Sequence, residues 1–189
     1  MSPWSYLAID RFNTPKEKYG LVVRYKPINV MQTFDKMGGL PPGKRHPSRQ
    51  RFRMEELKRW SAYLQVPMNF TPAHCPADQT LAAQIVFAAG GADGNVRAGA
   101  FSDAILTACW ASDENIADEA TLLALAEQCG LDGSALAQST KQPVVAQLYC
   151  DTTSEAHAAE VFGSPTYKVG GELFWGQDRL EFLDSALPA

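Results

Sequence analysis

The short run LVVRY at 21–25 is β-branched and mostly apolar, and its isolation constrains this chain most. The next stretch with strand character, TYKVGGELFWG, begins only at Thr166, and the pattern between them is mainly helical. A strand needs a partner for its backbone N–H and C=O groups, and a parallel partner needs a crossover helix. The helix is present ahead of LVVRY. Ser2 followed by Pro3 reads as an N-cap with proline at the first helical position, and the helix reaches about Phe12. Asn13-Thr14-Pro15 interrupts or restarts it, and Gly20 closes it.

The helical block starts at Ser48, where Phe52, Leu57, Trp60 and Leu64 recur at helical spacing. Further helices are expected at about 79–89, 96–110, 118–129 and 132–139, and another over 142–160. DKMGGLPPGKRHP at 35–47 and VPMNFTPAHCP after Leu64 read as loops, too broken by Pro and Gly for core elements. Gly170-Gly171 marks a hairpin turn between two short strands, and Asp178 to Leu187 closes the chain as an amphipathic helix. The order is helix, strand, helical block, hairpin, helix. One strand ahead of Ser2 turns it into βαβ, helical insertion, ββα. The expected fold is therefore α/β and thioredoxin-like, with a large all-helical insertion and its first strand missing from this chain. Residues 1–34 and 141–189 form the thioredoxin-like part and 35–140 the insertion. The true start is expected upstream, with Met1 an internal methionine.

The totals remove several function classes. A net charge of −4 with no basic stripe along the chain argues against a nucleic-acid partner. No apolar run approaches the roughly 18 residues of a membrane helix, and no signal-peptide pattern opens the chain. The cysteines, Cys75, Cys109, Cys129 and Cys150, form no CxxC, and the three histidines complete no zinc spacing, so no metal is expected. Scattered cysteines without a signal peptide suggest reduced thiols in a cytoplasm. Cys109 and Cys129 lie in apolar helical patterns and suit small buried hydrophobes.

Four stretches could carry chemistry. Ser2-Pro3-Trp4-Ser5 stands where thioredoxin-like redox enzymes place CxxC, but with serine at both cysteine positions. Dithiol exchange there is excluded. What remains is a hydroxyl and free backbone N–H groups, which stabilise an anion, including a thiolate supplied by a ligand; Ser2 could equally be an N-cap only. VFGSPTYKV puts Pro165 directly before a strand, either as an ordinary strand-start proline or as a cis proline turning backbone groups towards a ligand. Gly176-Gln177-Asp178 marks a helix start, where N–H groups could hold a carboxylate and Asp178 an ammonium, or Asp178 could simply favour the helix dipole. Lys44, Arg45, His46, Arg49, Arg51 and Arg53 form a basic run that is either a solvated face or a cationic rim for a carboxylate substrate. His74, in the second loop, could face the same cleft.

SPWSYLA, RFRMEELKRWSAYLQVPMNF, ACWASDENIADEATLLALAEQCGLD and VFGSPTYKVGGELFWGQDRLEFLDSAL together resemble the 2-hydroxychromene-2-carboxylate isomerase family. That family is related to the kappa-class glutathione transferases and to periplasmic disulfide oxidoreductases. The likeness runs through nearly the whole chain in order. It implies a glutathione-dependent isomerase of bacterial degradation of aromatic, naphthalene-like compounds, with a small aromatic carboxylate as substrate. A kappa-like transferase on other electrophiles and a non-catalytic glutathione-binding protein are the alternatives. The resemblance implies that Ser2 hydrogen-bonds the glutathione sulfur and favours its thiolate. It implies that Ser164 and Pro165 hold the glutathione backbone on a cis-proline loop, and that Gln177 and Asp178 hold the γ-glutamyl head group. Lys44, Arg45 and His74 fall on the substrate side. Related transferases carry a Gly-Asn before Pro-Pro where this chain reads Gly38-Gly39-Leu40, so any contact of that asparagine is absent. Relatives suggest a homodimer.

Overall fold

The computed structural model describes residues 1–188. Ser2 adopts an extended backbone (φ −90°, ψ 123°) and caps helix α1, Pro3–Leu7. Helix α2, Ile9–Lys18, comes after a single joint at Ala8. The expected break at Asn13–Pro15 does not occur. Pro15 removes one helical donor, yet the helix runs on for another turn, and the Tyr19 N–H reaches the Pro15 carbonyl at 3.0 Å.

LVVRY is not a strand. Residues 21–29 form no regular element; they alternate in exposure up to Lys26, as a half-buried strand would, but no strand among the described residues lies alongside. Its lateral backbone bond is the Tyr25 N–H donating to the Gly91 carbonyl at 2.8 Å. Val22 is 80 % exposed in consequence. Helix α3, Val30–Lys36, comes next, and its last two residues occupy the start of the expected 35–47 loop. The Asn29 side chain caps it by accepting from Gln32 N at 3.1 Å.

The helical block matches its sequence pattern closely: α4 Pro47–Leu64, α5 Thr80–Ala88, α6 Val96–Trp110, α7 Glu119–Gln128 and α8 Gly133–Ser139. Local caps set these starts. Asp118 accepts from Thr121 N and Asp132 from Ala135 N, each at 2.9 Å. Leu57, Ile85, Phe101, Ile105, Ile116 and Leu122 fill the core between them. Tyr6 and Leu7 of α1 belong to that same core, so the start of the chain is anchored in the helical block.

Helix α9, Pro143–Ala158, packs Val145 and Tyr149 against Ala83 and Phe87 of α5. Strands β1, Thr166–Val169, and β2, Glu172–Trp175, pair antiparallel with Thr166 opposite Trp175. Gly170 and Gly171 both have positive φ (56° and 94°), which suits a tight two-residue hairpin turn. A 3₁₀ turn, Gln177–Arg179, leads into α10, Leu180–Ala186, so the regular helix starts two residues later than expected. Leu180 and Leu183 of α10 meet Ala8, Phe12 and Tyr167 in a second core, which joins the hairpin to α2.

Candidate active site

The Ser2 hydroxyl donates to the Ser164 carbonyl at 2.7 Å. One turn further along α1, the Ser5 and Ser164 hydroxyls share a hydrogen bond at 2.9 Å. Both serines of the SxxS motif are thus tied to one residue of the proline loop. The Ser164–Pro165 bond is cis. The Gly176 N–H donates to the Pro165 carbonyl at 2.9 Å, and Gly163 packs so close to the Trp175 ring that a Cβ there would stand 2.5 Å from Nε1. The loop is therefore clamped between α1 and the end of β2.

Pro3 has no N–H, and the Ser5 N–H turns back to the Ser2 carbonyl at 3.1 Å. That leaves the Trp4 N–H as the uncommitted backbone donor beside Ser2. The Ser164 N–H likewise makes no hydrogen bond within the described residues, while its carbonyl is taken by Ser2.

Gln177 is 2 % exposed. Arg11 of α2 fixes it by donating from Nη1 to both the Gln177 carbonyl (2.6 Å) and Oε1 (2.9 Å). Arg11 also reaches Glu181 at 3.2 Å and lies 5.8 Å from the Trp60 ring centroid. The Gln177 Oε1 is thereby satisfied, and its Nε2 is the end free for a ligand. Asp178 is paired with its neighbour Arg179 at 2.6 Å near the surface.

A cleft of about 1470 Å³ runs along these groups. Ser2, Ser164, Gln177, Asp178, Lys44 and Arg45 all line it, although they come from three distant parts of the sequence. Pro165 is not among the residues that line it, though it carries the cis bond to Ser164, which does. His74 does not join the others: it is exposed and absent from the cleft wall, and its neighbour Cys75 takes that place. Arg49, Arg53, Trp60 and Trp110 also line the cleft. The sequence signal for Arg49, Arg53 and Trp60 is the basic run and the helical spacing of α4, and Trp110 closes the apolar pattern of α6, but none of these says which side chains turn inward.

All four cysteines are free. Cys109 is buried, and burial, with Cys75 nearby, pushes its thiol up to about 11. Cys129 is only half-buried, packed at the edge of the main core. Among the described residues no group of His, Cys, Asp and Glu is arranged to hold a metal, and no helix is long and apolar enough to cross a membrane.

Residues 1–188 match the DSBA-like thioredoxin domain family. The 2-hydroxychromene-2-carboxylate isomerase of Sphingobium xenophagum is 31 % identical over 188 residues, covering 99 % of this chain and 93 % of that protein. The protein of the same description from Pseudomonas putida is 32 % identical over 190 residues, covering 99 % and 90 %. The chain belongs to the 2-hydroxychromene-2-carboxylate isomerase family. A solved structure of 2-hydroxychromene-2-carboxylate isomerase superposes with a TM-score of 0.79 at 26 % identity, over 98 % of this chain and 89 % of that one. The family fold is the thioredoxin-like one with a helical insertion, as the order of elements predicted. Within that fold this family member carries hydroxyls, not thiols, at both SxxS positions, so no dithiol exchange can occur there.

Proposed function

We propose that this chain is a glutathione-dependent isomerase. It interconverts 2-hydroxychromene-2-carboxylate, or a closely related carboxylate that carries an aromatic ring, with the open benzylidenepyruvate form. The observation that carries this reading is the full-length likeness to isomerases of that description, with the SxxS hydroxyls set against the cis-proline loop. The reading includes bacterial degradation of naphthalene-like compounds, a cytoplasmic location and a homodimer.

The residues fit glutathione. A peptide backbone needs main-chain partners, and the Ser164 N–H beside Pro165 is free. A γ-glutamyl head group needs a donor for its carboxylate and an acceptor for its ammonium. Gln177 Nε2 and the Asp178 carboxylate supply these, provided Asp178 turns from Arg179. When bound, glutathione supplies a thiolate that adds reversibly to the substrate double bond and is returned unconsumed. Ser2 turns its hydroxyl proton from the Ser164 carbonyl to the sulfur, and the Trp4 N–H adds a second donor. Both favour the anionic sulfur, and each unit by which its pKa falls corresponds to about 1.4 kcal/mol. Lys44 and Arg45 stand on the substrate side of the cleft and attract a carboxylate.

The test combines calorimetry of glutathione binding with spectrophotometry of the chromene acid, counting free thiol throughout. Conversion with the thiol count constant supports the isomerase. Thiol consumed with release of a conjugate indicates a transferase, and saturable binding without turnover indicates a binding protein. No glutathione binding at all sinks the reading.

A further inference from the structure

Arg49 and Arg53 are four residues apart and so share one face of α4, and Arg45 stands four residues before Arg49, just ahead of the helix. All three line the cleft, whereas Arg51, between them, is exposed and does not. Three guanidiniums gathered this way repel one another. Burial and Arg49 lower the pKa of Arg45, and burial and Arg45 lower that of Arg53. Cys75 opposes the shift at Arg53 only in part. None of the ion pairs among the described residues includes Arg45, Arg49 or Arg53.

The carboxylates of the same cleft are engaged elsewhere. Glu56 pairs with Arg59 at 2.6 Å, Asp178 with Arg179 at 2.6 Å, and Asp78 accepts from the Thr80 N–H at 2.9 Å. Arg45 donates from Nε to the Leu40 carbonyl at 2.8 Å. Arg53, half-buried, makes no side-chain hydrogen bond at all within the described residues. Its nitrogens open onto the cleft, where water or a ligand can accept from them, and its planar fork matches a carboxylate.

A second observation comes from the same cleft. The indole Nε1–H of Trp110 is the one buried side-chain nitrogen or oxygen without a partner among the described residues, and Trp110 is 5 % exposed. Trp110, Trp60, Phe70 and Leu57 line the same cleft and give it apolar, aromatic lining residues. A guanidinium fork with no protein partner, in a cleft that is also lined by aromatic side chains, suits an aromatic ring bearing a carboxylate.

We propose that Arg53, supported by Arg49 and Arg45, anchors the carboxylate of a small carboxylic acid carrying an aromatic ring on the α4 wall, with the ring on the Trp60 side of the cleft. The identity of that ligand as the substrate rests on the isomerase reading. The binding itself does not. Glutathione also carries a carboxylate on its glycine, so the experiment separates the two sources.

The full chain is titrated with 2-naphthoate and with the neutral 2-naphthamide, without glutathione, following tryptophan fluorescence. Glutathione binding is then measured separately by calorimetry. Arg53→Gln and Arg53→Lys are compared, each checked by its thermal midpoint. The expected result is saturable naphthoate binding, much weaker amide binding, and a loss of roughly tenfold or more for Arg53→Gln. Arg53→Lys recovers part of that loss, and glutathione affinity is unchanged in both. No naphthoate binding by the parent, or binding by Arg53→Gln within twofold of it, overturns the proposal. So does a variant whose glutathione affinity falls while naphthoate binding stays. Should the chain fail to bind glutathione or to isomerise, the naphthoate comparison still decides the subsite.

Discussion

Ser2 and Ser164 lie 162 positions apart, yet the hydroxyl of one donates to the carbonyl of the other at 2.7 Å. That bond brings the start of α1 against the cis-proline loop, and the donor facing the cleft is a hydroxyl whose proton can be redirected to a ligand.

Ser2→Ala removes that donor. The apparent pKa of bound glutathione, read from its ultraviolet thiolate absorbance, is expected to rise, and turnover to fall roughly ten- to hundredfold. Loss of the N-cap costs about 1 kcal/mol of stability, so the fold survives. An unchanged thiolate pKa removes Ser2 from the mechanism.

Asp178→Ala separates binding from stability. Its partner Arg179 is at the surface, and exposed pairs contribute about 0–1 kcal/mol. The thermal midpoint should therefore hardly move, while glutathione affinity drops severalfold. Equal affinity in variant and parent counts against the head-group assignment.

Gly163→Ala probes the clamp on the proline loop. The added Cβ meets Trp175 Nε1 at 2.5 Å and Cε2 at 3.1 Å, so ring or loop must shift. Overpacking of this kind costs about 1–3 kcal/mol. Because Ser164 is the next residue, glutathione binding should weaken along with stability. A variant as stable as the parent and with full affinity shows that the clamp does not position Ser164.

Asp103 supplies a pH test remote from the cleft. Burial raises its pKa above the usual carboxylate value; the bond from Asn13 Nδ2 at 3.0 Å and the nearby Lys16 only partly oppose this. Folded Asp103 thus holds its proton more tightly than the unfolded chain does. Its contribution to stability is fully present below the unfolded value of about 3.9 and is lost as pH rises through the raised folded value. Asp103→Asn should raise the thermal midpoint at pH 7 and leave it nearly unchanged at pH 3. A variant less stable at pH 7 shows that the charged form is the favoured one.

The features legible in the sequence are those that depend on near neighbours. Asp118 and Asp132 start their helices through bonds three residues away, and Gly170-Gly171 turns its hairpin because only glycine enters positive φ at little cost. SPWS excludes dithiol chemistry on composition alone. Asn29 is also a local signal, for α3, but that short helix is hidden beside a Gly- and Pro-rich loop. Long-range packing settles the rest. LVVRY has strand character, yet a strand exists only through a partner, and none lies beside it among the described residues. Arg11 holds Gln177 across 166 positions. Arg53 turns into the cleft while Arg51 and His74 do not. These outcomes depend on which surfaces meet once apolar burial in the main core, around Leu7, Leu57 and Phe101, has packed the helices. Burial is non-directional, so the residues that supply it do not specify which polar side chains it brings together.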